Sequence, residues 1–321
     1  MALGVRVDKF GNIADPVVSP RLSCIWKPGP DHSLRFSVNR AFRSPSAVNN
    51  FLDTQVLTPV DLKPLLPNLP PDLQPLVEDD FLLTQTILGN PDLEPEGLTA
   101  YEVGYIGTIN ERTTLGIALY VNDTSKNINF VSLPDDLDPY TVESPPPGWE
   151  LPPSYIGELA AQGEYFPRVR NQFQNLGPIR HHGVELLVEH RFGDGLNGFV
   201  NYSWQPDPKP RPAEVPFPAL EITIAPRNRV NAGIYWEGTR LIGSLAMSYA
   251  DRAFWVDVLP HDFDGESPAY TSFNASLGFR FAAGKMAATL RGTNLTNAEI
   301  QQHAYGDIQK PALTAALHFS F

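Results

Sequence analysis

The connections between strands constrain this chain more than any other feature, because they alternate between short and long in strict order. KPGPD (27–31), INE (109–111), GDGL (193–196), EG (237–238) and AAG (282–284) are tight turns of the Gly/Pro/Asp type. Between them lie 9–18, 43–97, 122–178, 206–227, 251–268 and 294–311, each much longer. The segments they join alternate apolar and polar residues with a period of two. Ala315, Leu317, Phe319 and Phe321 share one face of the last segment, opposed to Thr314, His318 and Ser320. Phe273, Ala275, Leu277, Phe279 and Phe281 oppose Asn274, Ser276, Gly278 and Arg280 in the same way. Such segments fall at 3–8, 19–27, 33–42, 98–109, 112–121, 179–192, 197–205, 228–237, 240–250, 269–281, 285–293 and 312–321. That makes about 12 strands, many near the ~9–11 residues that cross a bilayer at a tilt.

A soluble sandwich has no reason to gather every short turn at one end and every long loop at the other. A transmembrane barrel of an outer membrane does, with short periplasmic turns and long extracellular loops. Parity gives a second test, since aromatic residues should ring both interfaces on the apolar face. Trp26, Phe192, Trp236 and Phe281 fall in phase at the turn ends of their strands, and Tyr101, Trp204 and Tyr249 at the loop ends. Phe321 adds a terminal aromatic on the turn side. The competing architecture is a soluble sandwich or propeller whose aromatics fill a core. The expected fold is all-β: an antiparallel transmembrane β-barrel portion.

Composition agrees. The mean hydropathy is -0.20, and no apolar run reaches the ~18 residues of a spanning helix. A barrel needs none, because only alternate residues meet lipid. A formal net charge of -12 argues against nucleic acid as a partner. Cys24 is the single cysteine, so no internal disulfide or cysteine-based metal cluster can form.

The polar face collects Arg35, Asn39, Arg43, Glu102, Glu185, Glu189, Arg191, Asn201, Asn274, Arg280 and Arg291. Both charge signs at this density fit a wet lumen better than a dry core. Arg40 breaks the pattern by sharing parity with Leu34, Phe36 and Val38, which places it at headgroups or beyond the bilayer. Proline-rich stretches at 59–75, 133–153 and 205–212 predict stiff, extended or irregular loops. Leu65, Leu66, Leu69, Leu73 and Leu76 are expected either to line a vestibule or simply to pack within a variable loop.

Metal chemistry has weak support. His181 and His182 are adjacent on a strand and so face opposite ways. His261, Asp262 and Asp264, or Asp135, Asp136 and Asp138, form acidic clusters that are more often merely solvated. No nucleophile elbow, phosphate-binding Gly loop or H-E-x-x-H is present, so no enzyme, cofactor or metal is expected.

Several motifs then occur in a telling order. SPRL (19–22) and KP (27–28) precede HSLRFSVNRAFRSPS (32–46); GNPDLEPE (89–96) leads into YEVGY (101–105); GVEL (183–186) and RGTNLTN (291–297) follow, with the final Phe321. In this order the chain resembles the C-terminal half of the TonB-dependent receptor barrel over nearly its full length. The resemblance implies family-motif positions at Arg43, Glu96, Glu102, Glu185 and Asn294, structural more than ligand-contacting in role. Arg35, Asn39, Arg43, Glu102, Glu185 and Arg291 become the lumen residues that face a ligand or plug, Arg43 foremost. Glu96 and Glu102 are candidates to pair with Arg43 or Arg35.

The resemblance also implies a barrel of about 22 strands, of which residues 1–321 would form the latter part, with plug and TonB box outside the chain. A half barrel leaves two strand edges whose unpaired groups cost several kcal/mol each in lipid. The first residues, MALGVRVDKFGN, also lack the pattern of a secretion signal. The chain is therefore expected to be a fragment of a longer gene product.

The implied function is uptake of a scarce ligand across the outer membrane of a Gram-negative bacterium. A ferric siderophore comes first, with cobalamin, haem, nickel complexes or oligosaccharide as alternatives, and the TonB complex acts through the plug. A passive porin-like or structural barrel, and a soluble extracellular β-domain for adhesion or carbohydrate binding, are the other two readings.

Overall fold

The fold is described from a computed structural model, for residues 1–11, 13, 15–256, 264–281 and 285–319. The strands are β1 (Ala2–Asp8), β2 (Val17–Gly29), β3 (His32–Arg43), β4 (Asp53–Val60), β5 (Phe81–Leu88), β6 (Glu96–Ile109) and β7 (Thr113–Ser125). Next come β8 (Asn127–Ser132), β9 (Val169–Leu176), β10 (Ile179–Gly193), β11 (Leu196–Trp204), β12 (Lys209–Pro210) and β13 (Asn228–Glu237). The last are β14 (Leu241–Ala250), β15 (Ala253–Trp255), β16 (Gly265–Ser267), β17 (Tyr270–Phe281), β18 (Met286–Thr293) and β19 (Ala312–Phe319). Two α-helices, α1 (Ala47–Phe51) and α2 (Ser154–Ala161), lie in long loops.

Twelve strands form one antiparallel sheet in the order β1-β2-β3-β6-β7-β10-β11-β13-β14-β17-β18-β19, with β12 added beside β10. The sheet is not closed among the described residues. All twelve match the segments expected from alternation, and β7 runs four residues past its expected end. The short turns need backbone that few residues adopt. Asn110 and Glu111 have φ of 54° and 58°, and Asp194 and Gly195 have 47° and 79°.

Register fixes the two faces. Paired residues share a face, so the pairs Ser37↔Glu102, Glu185↔Ser203, Asn201↔Asn231, Ser244↔Ser276 and Arg291↔Thr314 trace one polar surface from β3 to β19. Phe36↔Val103, Leu119↔Val184, Val188↔Val200, Ile234↔Leu245 and Leu277↔Leu290 trace the apolar one. These apolar side chains are largely exposed: Leu277 stands at 60% and Leu3 at 73%. The sheet thus has an uncovered apolar surface, the reverse of a soluble sandwich.

The loop end of the apolar face carries polar ties. The Tyr202 hydroxyl donates to Asn228 Oδ1 at 2.7 Å, and the Tyr249 hydroxyl donates to the Asp251 carboxylate. Asn228 donates to the same carboxylate from its side chain (2.7 Å) and its backbone N–H (3.0 Å). These donors, the Tyr249 hydroxyl first, hold the Asp251 carboxyl below the ordinary carboxylate range against the opposing effect of burial.

The long loops attach through a clasp at their base. Ser46 caps α1 reciprocally with Asn49. Gly89 lies flat on α1, where a Cβ would stand 2.6 Å from the backbone of Asn50, Phe51 and Leu52. The buried Asn50 donates from Nδ2 to the Asn90 carbonyl at 2.9 Å. Arg43 holds Glu96 through two nitrogens, and Glu96 Oε1 also accepts the Ile128 N–H at 2.6 Å. Asn175 accepts the Glu94 N–H and donates to the Glu94 and Lys126 carbonyls. The stretches FRSPS and GNPDLEPE, remote in sequence, are therefore two halves of one joint.

Asn294 bolts the final loop. It is 4% exposed at φ 50°, donates to the Ala298 and Gln309 carbonyls (2.9 and 3.0 Å), and accepts the Ala298 N–H at 2.9 Å.

The proline-rich stretches at 59–75 and 133–153 are largely irregular, as expected, but the loops that carry them gain regular structure on their flanks. β4, β5, β9 and β8 form a second sheet across two loops, with β5 and β9 parallel. Pro59 fits because β4 is an edge strand, where a missing N–H breaks no ladder. Leu66 and Leu69 are buried with Val77, Leu83, Leu151, Leu159 and Phe166, while Leu65 and Leu73 pack around them. Leu76 stays 40% exposed. Leu93, Ile128 and Phe173 form a second cluster, and Leu176, Ile179, Phe217 and Ile222 a third that draws in the loop after β11.

Three outcomes follow from these contacts. Asn294→Ala removes three side-chain hydrogen bonds and is expected to loosen the 294–311 loop by about 2–4 kcal/mol, read as faster protease cleavage there; Asn294→Asp should fall between it and wild type. Gly89→Ala should cost about 1–3 kcal/mol through overpacking against α1, and a melting temperature equal to wild type would contradict the clasp. The lowered Asp251 carboxyl stabilises its end of β13 and β14 above the ordinary carboxylate range, and this is lost as pH falls through the lowered value. The protection of the Asn228 amide against exchange, taken relative to its intrinsic rate at each pH, should therefore fall in acid, and Asp251→Asn should remove most of that pH dependence.

Candidate functional site

The polar face curves into a concavity of about 670 Å³ between β2 and β13. Arg35 and Glu102 form an ion pair on its wall, and Glu185, Asn201, Arg229 and Asn231 line it further along. Glu185, Ser203 and Arg229 stand in one row across three strands. At about 4.8 Å per strand the two charges are roughly 10 Å apart, far enough to engage separate groups of a guest. Neutral groups tie to each other: Ser244 to Ser276 (2.7 Å), Ser248 to Asn231 (2.8 Å) and the Tyr120 hydroxyl to Gln205 (2.9 Å). Tyr120 lies over Gly183, where its hydroxyl comes within 2.5 Å of a would-be Cβ. That contact supplies a physical reason for glycine two residues before Glu185.

The expected lumen residues all have polar-face register, but they do not converge. Arg35, Glu102 and Glu185 share the concavity. Asn39 stands opposite Arg21 and Ala100 and donates to Ser37 Oγ at 3.4 Å. Arg291 is several strands away on β18, opposite Ser276 and Thr314. Arg43, Glu96 and Asn294 belong to the clasp and the bolt. Arg43 keeps 63% side-chain exposure while its partner Glu96 keeps 18%, so the arginine still faces solvent. Arg21, Arg229 and Asn231 share this face and were not among the expected site residues, although the parity of their strands marks them.

The interface aromatics lie as follows. Trp26 pairs in register with Leu34 and Trp236 with Leu196, on the apolar face, and the Trp236 indole donates to the Asp194 carbonyl at 3.0 Å. Phe192 sits at a register shift, edge-on to His190 at 4.6 Å. Phe281 pairs with Met286. Tyr101, Trp204 and Tyr249 occupy the loop end opposite Val121, Val184 and Val230. Phe321 lies outside the described residues.

The loop end adds an aromatic-rich platform. Phe81 meets Trp149 at 5.2 Å, Trp149 meets Phe166 at 5.7 Å, and the Arg168 guanidinium lies 4.7 Å over Tyr140. The Trp255 and His303 rings meet at a tilt, 4.7 Å between centroids, joining the loops after β14 and β18. No group of three or more His, Cys, Asp or Glu is placed to hold a metal ion among the described residues. His181 faces Asn122 on the polar side and His182 faces Val121 on the other. Asp138 pairs with Arg168 at 3.8 Å, and His261 and Asp262 lie outside the described residues. What this surface offers is recognition of a polar guest by both charge signs, hydroxyls and amides.

Comparison with known proteins places this architecture. The family model described as TonB dependent receptor-like, beta-barrel matches residues 2–297. A mutant of the ferric enterobactin receptor PfeA from Pseudomonas aeruginosa superposes with a TM-score of 0.66 at 14% identity, over 96% of this chain and 41% of that one. The siderophore receptor PirA from Acinetobacter baumannii gives 0.65 at 15% identity, over 99% and 43%. The FrpB iron transporter from Neisseria meningitidis gives 0.57 at 13%, over 96% and 39%. No curated protein matches by sequence. The chain spans about two fifths of the length of these structures, and its open sheet corresponds to part of their barrels. By its family model and its fold, the chain belongs to the TonB-dependent receptor β-barrel family.

Proposed function

We propose that this chain is the latter part of an outer-membrane receptor of a Gram-negative bacterium that imports a scarce ligand, a ferric siderophore first among the candidates. The observation that carries this reading is the two-faced sheet: a polar surface continuous over twelve strands, backed by an exposed apolar one. The siderophore and iron receptors among the structural neighbours support the choice of ligand class.

In this reading the apolar face meets lipid, the loop platform captures the ligand outside, and the polar face lines the wet path inward. Arg35, Asn39, Arg43, Glu102, Glu185 and Arg291 face the ligand or the plug. The TonB complex acts through a plug that these 321 residues do not include.

Deletion of the gene is expected to slow growth under iron limitation. Labelled ferric siderophore uptake should return with the intact gene and vanish in a strain lacking TonB. If no ferric siderophore, haem, cobalamin, nickel complex or oligosaccharide binds and iron-limited growth is unchanged, the import reading fails. Steady conductance in planar bilayers would instead identify a passive channel. Solubility at high concentration without detergent would identify a soluble β-domain.

A further inference from the structure

The loop sheet ends in a bare edge, because β4 has a neighbour on one side only in the order β4-β5-β9-β8. The Gly89 N–H donates to the Leu52 carbonyl at 2.6 Å, just ahead of the pairs Asp53↔Leu88 and Thr54↔Ile87. Opposed residues of an antiparallel pair alternate between bonded and non-bonded. Thr54, Val56, Thr58 and Val60 therefore bond to β5, while Asp53, Gln55, Leu57 and Pro59 turn their main-chain groups away from it. Pro59 has no N–H to offer. The N–H groups of Asp53, Gln55 and Leu57, with the carbonyls of all four residues, form an open ladder that no other segment occupies among the described residues. Natural edges are blunted by proline, charge or cover. Here Pro59 blunts one end and leaves Asp53 to Leu57 open.

The side chains beside this ladder are of two kinds. Leu57 is 61% exposed and Leu82 51%, and both lie on the outer face of the sheet with Pro59. Carboxylates stand at the two ends: Asp53 where β4 starts, and Asp61, Glu78, Asp79 and Asp80 where β4 ends and β5 begins, all exposed. Residues 53–63 and 78–88 hold these five carboxylates and a single cation, Lys63. Arg170 reaches β4 only on its core side, donating to Thr58 Oγ1 at 3.1 Å.

We propose that the β4 edge receives an extended, basic peptide segment, which adds a strand to the loop sheet through main-chain hydrogen bonds. The ladder requires an extended backbone, and about five residues cover the open stretch of ~17 Å. Leu57 and Leu82 favour apolar side chains at alternate positions, and the carboxylates favour Lys or Arg at the ends of the segment. The inference rests on the loop sheet alone and stands apart from the import reading.

The test follows, by fluorescence anisotropy, a labelled acetyl-Lys-Thr-Val-Thr-Val-Thr-Lys-amide peptide titrated with the full chain in dodecylmaltoside micelles. N-methylation of the peptide amides on one edge keeps its side chains and should weaken binding by about fivefold or more. Replacing both lysines with glutamate should weaken it further. Gln55→Pro removes an outward N–H, leaves the β4–β5 ladder whole and should also weaken binding about fivefold, with exchange protection of the Val56 amide reporting that the sheet persists. Asp79→Asn with Asp80→Asn should cost about two- to fivefold, and less at high salt. No binding at ~1 mM peptide overturns the proposal. Equal binding of the N-methylated or the glutamate peptide, or unaltered binding to a folded Gln55→Pro chain, overturns it as well. Self-association of the chain that Gln55→Pro abolishes, with no peptide bound, assigns the edge to a second copy and overturns the peptide assignment.

Discussion

In an antiparallel sheet, paired side chains lie on the same face and the side-chain period is two, so each ladder transmits its parity to the next. A slip of one residue between β3 and β6 would turn Glu102 and every charge beyond it outward, and bring Val103 and Tyr101 inward. Each pairing from β1 to β19 must therefore agree with all the others, and the polar and apolar surfaces are the visible sum of that agreement. The tight turns at Asn110–Glu111 and Asp194–Gly195 support it locally by fixing which residues face each other where a hairpin begins.

How far the fold could be read from sequence follows from where the information lies. The large strands were legible because alternation runs along the chain, as in Phe273 to Phe281. Two charged pairings were also legible, since Arg35 with Glu102 and Arg43 with Glu96 sit in recognisable motifs. The loop sheet was not: β5 and β9 pair in parallel across more than 80 residues, and prolines at 59, 64, 67, 70 and 71 crowd the end of β4 and the connection from β4 to β5. Arg229 was within reach of parity alone, but its alignment with Glu185 depends on the register of two further ladders.

The motif residues look different in three dimensions from what a list of polar positions implies. Glu96, Gly89, Ser46 and Asn294 secure chain crossings at the base of the loops, leaving the concave wall to residues such as Glu185, Asn201 and Arg229. These motif residues thus build a joint, while the concave wall is made by other positions of the same strands.

The shared loop core carries a consequence of its own. Leu66 and Leu69 from one long loop, and Leu151, Leu159 and Phe166 from another, bury against each other as they would inside a small domain. Loops joined in this way form a miniature second fold at the loop end of the large sheet, with its own core and its own four strands. Changing the length of either loop would unpack its neighbour, so substitutions are tolerated best on the exterior of that body. The outer surface of such a body can be repainted while its supports stay as they are.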